Sequence, residues 1–222
     1  MPPRLSYGEG TACWVDHAGV DLTGTKDFYG PLLDWEFRSE GGRGYHLILR
    51  GGQIVGGLGP SPMGPGYGSS WTVYLAAKDL ALSQRRAEEH GARFTVSAVS
   101  AGANGRFSLG TDPHGGAFGL WEGHRDEGVV LVDEPGALVD AVLHGAHPGD
   151  QGAFYRSVCG ATVTQEASRT TRWVPCFGVA DRAAFEVRAR GAGAEVLAPG
   201  LFSDPWGSVF GVRNVAVGSS GT

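Results

Sequence analysis

The stretch DPHGGAFGLW (residues 112–121) has a close counterpart near the end of the chain, DPWGSVFGVR (residues 204–213). Each reads as an Asp-Pro-x-Gly turn followed by an apolar strand, because Pro and Gly set the turn and the residues after it favour an extended backbone. Two copies of one turn and strand, so far apart in the chain, indicate an internal repeat. We therefore predict that the chain consists of two related modules.

Three further pairs of blocks repeat in the same order along the chain. In one pair, each strand begins with Trp and ends at an Asp suited to cap the helix that follows. The pairs are DFYGPLLDWEF (27–37) with AFYRSVCGATV (153–163), WTVYLAAKD (71–79) with WVPCFGVAD (173–181), and LALSQRRAEEHGA (80–92) with RAAFEVRARGAGA (182–194). We predict module 1 over residues 10–124 and module 2 over residues 125–216.

Module 2 is predicted to be the shorter of the two. The spacing from the Phe-Tyr pair to the next Trp is much smaller between Tyr155 and Trp173 than between Tyr29 and Trp71, which indicates a lost hairpin. The two ends of the chain, residues 1–9 and 217–222, are predicted to be flexible tails.

The composition excludes several classes of protein. With 41% hydrophobic and 18% charged residues, the chain can form a real core. A net charge of −5 and the lack of any basic run argue against nucleic-acid binding, which requires a basic face. The sequence has neither an apolar run long enough for a membrane span nor a signal-peptide core. We expect a cytoplasmic protein in which Cys13, Cys159 and Cys176 are reduced thiols.

The repeated blocks resemble those of the glyoxalase, bleomycin-resistance and extradiol-dioxygenase proteins, the vicinal oxygen chelate superfamily, and among them the two-module actinobacterial glyoxalase-like type. The residues that carry this resemblance are WVDHAGVD (14–21), Phe28-Tyr29, Trp35, Trp71 with Tyr74, Asp112-Pro113, Gly115, LWE (120–122) and EPGAL (134–138). The resemblance implies an α+β fold of two tandem βαβββ modules whose curled mixed sheets enclose a shared cavity. It allows a monomer or a homodimer.

Metal-dependent members of this superfamily carry His or Glu at inward-facing positions of three strands. Carried over to this chain, those positions fall on Trp14, Thr72 and Gly119 in module 1, and on Asp140, Val174 and Gly211 in module 2. Only Asp140 could ligate a hard cation, whereas a metal site needs several convergent ligands. We therefore expect no metal and no other cofactor. A rival metal site would use Asp140, His144 and His147.

Strand alternation assigns a second set of side chains to the cavity. The predicted ligand-binding residues are Trp14, Asp16, Thr72, Tyr74, Trp121, Asp140, His144, Cys176 and Arg213. Flat aromatic surface with a few polar groups is typical of a small-molecule pocket, and Gly119 and Gly211 would leave room for a ligand. The alternative is that these aromatic side chains simply fill the interior. His17 points to the opposite, helix-facing side and is interpreted as a core histidine.

The first functional hypothesis is a metal-independent binding protein that sequesters a bulky aromatic natural product, polyketide-like in shape, for antibiotic self-resistance or as an accessory to a biosynthetic partner enzyme. The second is a metal-free enzyme of the same fold, in which Asp16, Asp140 and His144 perform acid–base chemistry. The third is a metal-dependent lyase or dioxygenase. Whether the protein is an enzyme stays open, with the non-catalytic role favoured. No nucleic acid or membrane partner is expected.

Overall fold

The computed structural model describes residues 4–42, 44–62, 68–125 and 127–216. Of the tails predicted to be flexible, residues 1–3 and 217–222 lie outside these ranges. Residues 4–9 lie inside them, and there the side chain of Tyr7 is buried. Within the described ranges, no helix combines the length and the apolar character that a membrane crossing requires.

Module 1 forms a single sheet of eight strands flanked by two helices. Its elements are β1 (Ala12–Gly19), α1 (Leu22–Leu33), β2 (Glu36–Ser39), β3 (His46–Arg50), β4 (Gln53–Pro60), β5 (Ser70–Ala76), α2 (Leu80–Glu89), β6 (Arg93–Ser100), β7 (Gly105–Thr111) and β8 (Ala117–Gly123). The strand order is β2-β3-β4-β1-β5-β8-β7-β6. The chain thus passes twice through the order strand, helix and three strands, and the two passes meet where β1 pairs antiparallel with β5.

Module 2 forms a second sheet, of six strands. Its elements are β9 (Leu138–Gly145), α3 (Pro148–Cys159), β10 (Thr164–Ala167), β11 (Arg172–Val179), α4 (Arg182–Gly191), β12 (Glu195–Ala198), β13 (Leu201–Ser203) and β14 (Val209–Asn214). The strand order is β10-β9-β11-β14-β13-β12. The α+β class, with two curled mixed sheets in two tandem modules, is confirmed. The module boundary between residues 124 and 125 stays a prediction.

Aspartates fix where three of the four helices in the described ranges begin. Asp21 accepts a hydrogen bond from the backbone N of Gly24 at 3.0 Å, and Asp79 accepts one from Leu82 N at 2.9 Å. Asp181 caps α4 by accepting from Ala183 N at 2.8 Å. Each cap satisfies an amide that the first turn leaves without an intrahelical partner. The predicted capping roles of Asp79 and Asp181 are therefore confirmed.

The two sheets pack against each other through their apolar faces. Trp71 on β5 contacts Phe177 on β11, with ring centroids 5.3 Å apart, and Trp35 contacts the same ring at 5.0 Å. One continuous core holds buried residues of both modules, and α2 lies against α3. The helix-facing sides of the two sheets thus also form the interface between the modules.

The repeated Phe-Tyr and Asp-Pro blocks meet across this interface. Tyr29 OH donates to Asp204 Oδ2 at 3.0 Å, and Tyr155 OH donates to Asp112 Oδ2 at 2.9 Å. His17 joins the first pair, because its Nε2 lies 3.2 Å from Asp204 Oδ2. All five side chains are buried. His17 is therefore a core histidine, as predicted.

This packing corrects one detail of the predicted cavity. Because Trp71 on β5 and Trp173 and Phe177 on β11 face the interface, their alternating neighbours point away from it on opposite sides of the molecule. A cavity of about 350 Å³ does lie between the modules, near the starts of β1 and β9. Of the predicted site residues, it is lined by Asp140 alone. The predicted residues therefore occupy two separate faces.

Candidate functional site

The outer face of the first sheet, here called the module 1 face, is organised around Asp16. Its Oδ1 accepts hydrogen bonds from Trp14 Nε1 and from Tyr45 OH, both at 2.8 Å, and its Oδ2 accepts one from Tyr74 OH at 2.9 Å. Burial raises the pKa of the Asp16 carboxyl, while these three donors lower it. Asp16 therefore orients an indole and two phenols and has its acceptor capacity largely filled.

The hydrogen bonds around Asp16 are possible because the backbone of a neighbouring strand approaches its side chain closely. Gly57 on β4 lies beside Asp16 in the parallel β1–β4 ladder. A Cβ at Gly57 would collide with Asp16 and with the hydroxyl of Tyr45. Thr72, another predicted site residue, pairs with Asp16 across the β1–β5 ladder and is half-buried.

The predicted aromatic residues of the module 1 face pack on one another. Trp14 and Trp121 stack with ring centroids 6.4 Å apart and an interplanar angle of 20°. The ring of Tyr74 occupies the space in front of Gly119, so this glycine leaves no room for a ligand. Tyr7 and Val129 complete the same apolar cluster, and Tyr7 OH donates to Val129 O at 2.7 Å. The face is therefore filled by the protein's own side chains.

The outer face of the second sheet holds a cavity of about 340 Å³, here called the module 2 cavity. Three of its lining residues, His144, Cys176 and Arg213, belong to the predicted set. The other lining residues are Val142, Glu166, Val174, Arg182, Ala198, Pro199, Gly200, Leu201, Gly211, Val212 and Asn214. The surface that this cavity exposes is mainly polar, because Val142, Val174 and Val212 are buried beneath it. A concave site of this size can orient a small molecule through such polar groups.

One end of the module 2 cavity carries a histidine beside a carboxylate. His144 Nε2 lies 3.6 Å from Glu166 Oε2, because the two residues pair in the β9–β10 ladder. Burial lowers the pKa of His144, Glu166 opposes this shift, and the positive charge of Arg172 adds to it. The imidazole is therefore neutral near pH 7 and able to accept a proton.

The other end of the cavity carries an exposed ion pair. Arg213 Nη2 lies 3.0 Å from Asp140 Oδ2. Between the two ends, the Sγ of Cys176 would lie 2.6 Å from a Cβ placed at Gly211, so the space predicted beside this glycine is also filled. Burial raises the pKa of the Cys176 thiol to about 12, which leaves it protonated and a poor nucleophile.

The structure corrects the predicted acid–base residues. Asp16 lies on the module 1 face, away from His144. Asp140 is four residues from His144 along one strand, about 13 Å, and it pairs with Arg213 instead. Glu166, which the sequence interpretation did not include, is the carboxylate that contacts His144. Tyr45, the partner of Asp16, was missed in the same way, since only the folded sheet brings each pair together.

The donor sets present do not fit the metal that this fold often carries. Among the described residues, no group of three His, Cys, Asp or Glu side chains lies close enough to hold a metal ion. The rival set is not assembled, because His147 lies against His114, at 5.3 Å between ring centroids, while His144 contacts Glu166. No step of chemistry is therefore assigned to a metal.

No family model matches the sequence. The chain is 30% identical to CFP32 of Mycobacterium bovis, a protein provisionally named a glyoxylase, with 97% of this chain and 99% of that protein covered. The same identity and coverage hold for CFP32 of Mycobacterium tuberculosis.

Solved structures share the fold at low sequence identity. The Mn(II)-bound glyoxalase of Novosphingobium aromaticivorans matches with a TM-score of 0.66 at 15% identity, covering 93% of this chain and 83% of that one. The 2,2',3-trihydroxybiphenyl 1,2-dioxygenase of Sphingomonas wittichii matches with a TM-score of 0.59 at 15% identity, covering 96% and 93%. Together with the mycobacterial relatives, these similarities show that the chain belongs to the vicinal oxygen chelate superfamily.

Proposed function

We propose that the protein binds a small organic molecule in the module 2 cavity, without a resident metal ion, and holds it rather than converting it. The observation that carries this proposal is the cavity itself. It is large enough for a small ligand. The superfamily resemblance implies that metal-dependent members carry their ligands on this strand face. Here the corresponding positions hold Asp140, Val174 and Gly211.

The residues that line the module 2 cavity partly determine which kind of ligand it can hold. Val142 and Val174 are buried beneath the cavity, and its accessible apolar surface comes from Ala198, Pro199 and Leu201 at one edge, where an apolar part of a ligand can lie. The aromatic residues expected to stack on a ring system lie on the module 1 face instead, so the cavity would hold such a ligand by aliphatic contacts. Sequestration of a bulky, partly aromatic natural product, for self-resistance or beside a biosynthetic partner enzyme, stays part of this proposal.

A second candidate function is metal-free acid–base catalysis in the same cavity. It is favoured by the neutral imidazole of His144, which has a carboxylate 3.6 Å from its Nε2. In this role His144 would accept a proton from the bound molecule, and Glu166 would stabilise the imidazolium that forms. The two candidate functions differ in whether the bound molecule is chemically changed.

One experiment separates the two candidates. The protein is treated with EDTA, titrated calorimetrically with emodin as a tricyclic polyketide probe, and the probe is then recovered and analysed by mass spectrometry. Saturable binding with unchanged emodin supports the holding role. Conversion of emodin that is lost in His144→Gln supports catalysis, and Trp14→Phe on the module 1 face is the matched control that leaves either result unaltered.

A further inference from the structure

Two histidines from different modules lie against each other outside the sites described above. The imidazole rings of His114 and His147 have centroids 5.3 Å apart and planes inclined by 35°. His114 is half-buried in the Asp-Pro turn of module 1, and His147 is exposed at the start of α3 in module 2. Within the described ranges, neither imidazole takes part in a hydrogen bond or an ion pair. Their ring nitrogens are therefore available to a ligand from solvent.

The backbone holds both histidines in place. His114 N donates to Asp112 Oδ1 at 2.8 Å, which fixes the turn. The same carboxylate accepts from Tyr155 OH at 2.9 Å, and Tyr155 lies on α3, the helix that begins directly after His147. In the first turn of that helix, His147 O accepts from Gln151 N at 3.0 Å. The turn and the helix are thus joined, so that side-chain rotation suffices to bring the ring nitrogens together.

The distance between the two rings fits a shared metal ion. Zinc binds an imidazole nitrogen at about 2.0 Å, which places the ring centroid about 3.2 Å from the metal. Two imidazoles at tetrahedral positions then have centroids about 5.2 Å apart. The observed 5.3 Å agrees with this spacing. Among the described residues, no third His, Cys, Asp or Glu completes a site, so water would fill the remaining positions.

Neither helix capping nor the internal repeat explains this pair. The other three helices of the described ranges begin at an Asp that caps the first turn, whereas His147 caps α3 without a side-chain hydrogen bond. At the repeat-related place, Asp21 occupies the cap and Trp206 the turn, and Trp206 packs on Phe28 with ring centroids 6.2 Å apart. The fold therefore does not require histidine at either position.

We propose that His114 and His147 chelate a Zn(II) ion that links the two modules. Neutral imidazole suits Zn(II) better than Mn(II). The positive end of the α3 dipole disfavours a cation here, and Asp150 in the first turn of the helix offsets that effect. Because the two ligands come together only when the modules pack, the ion binds the folded protein in preference to the unfolded chain and stabilises it.

The test is calorimetric titration of zinc chloride into the untagged full chain, after treatment with EDTA and dialysis to remove the chelator. We expect one Zn(II) per chain with a Kd of about 1–10 µM. His114→Gln and His147→Gln should each weaken binding about tenfold or more. His90→Gln is the matched control. His90 is exposed at the end of α2 with its Nδ1 2.8 Å from Arg86 O, and its replacement should leave the affinity unchanged.

Urea denaturation supplies a second measurement. Without zinc, all three variants should unfold like the parent protein. Zn(II) at tenfold the Kd should raise the ratio of folded to unfolded protein about tenfold in the parent and in His90→Gln, but not in His114→Gln or His147→Gln.

Three results would overturn the inference. They are binding that survives both ligand substitutions, binding that His90→Gln weakens equally, and no binding up to about 0.5 mM Zn(II). Neither histidine lines the module 2 cavity, so the emodin titration of the proposed function is decided separately.

Discussion

The hydroxyl of Tyr29 in module 1 donates a 3.0 Å hydrogen bond to Asp204, which lies 175 positions later in module 2. Tyr155 and Asp112 form the reciprocal bond. The same Asp residues order their own turns, because Asp204 Oδ1 also accepts from the backbone N of Trp206 and of Ser208. The repeated Phe-Tyr and Asp-Pro motifs therefore supply side chains that join the two modules.

Tyr29→Phe should lower the free energy of unfolding by about 1–3 kcal/mol, since it leaves part of a buried carboxylate without its donor. Chemical denaturation by urea, followed by tryptophan fluorescence, measures the change. A double-mutant cycle with Asp204→Asn isolates the coupling between the two side chains. A Tyr29→Phe variant as stable as the parent protein would show that this bond does not hold the modules together.

The three cysteines should resist alkylation while the protein is folded. Burial raises the pKa of Cys159 and of Cys176 to about 12, and it raises the pKa of Cys13 well above its usual range. Since the thiolate is the reactive form, iodoacetamide at about pH 8 should leave the native mass unchanged and should add three adducts in urea. Rapid native labelling of Cys176 would restore it as a candidate nucleophile.

His144 should make stability depend on pH. Burial lowers the pKa of His144 in the folded protein below the usual 6.5. At pH values between this lowered pKa and 6.5, the unfolded chain therefore binds more protons than the folded protein. Stability should therefore fall as the pH decreases through that window, and His144→Gln should flatten this part of the profile. Urea denaturation across the window measures the effect, and NMR titration of the imidazole reads the pKa directly. A His144 that titrates above 6.5 would contradict the assigned environment.

Trp14→Ala should destabilise the fold without weakening ligand binding. The substitution removes the stack on Trp121 and the hydrogen bond to Asp16, for an expected loss of about 2–4 kcal/mol. Trp14→Phe keeps part of the stack and should lose less. Calorimetric titration of both variants with emodin should give the affinity of the parent protein. Weaker binding in a fully folded Trp14→Ala would move the ligand site to the module 1 face.

The fold was readable from the sequence because the repeated blocks are long and ordered. The Asp-Pro turns and the Trp-initiated strands recur in the same order, and Asp79 and Asp181 mark the starts of two helices. The packing of the two sheets against each other could not be predicted from the sequence. Strand alternation separates the residues into two faces, but it does not show which face meets the other module. Contacts such as Trp71 on Phe177 decide that, and they exist only in the folded chain.

The candidate site was predictable only within single strands. His144, Cys176 and Arg213 follow from alternation and do line the cavity. Glu166 lies on a four-residue strand that shows too little pattern to be placed beside His144. Arg182 also lines the cavity, whereas the sequence shows it only as the first residue of a helix.

The most direct test is calorimetric titration of emodin into protein stripped by EDTA and into the same protein reloaded with Mn(II). Binding in a cavity without metal ligands predicts equal affinity in the two samples, with emodin recovered unchanged and no stoichiometric manganese retained after dialysis. Binding or conversion that appears only in the manganese-loaded sample would show that the protein holds a metal site and that its ligand is bound through it.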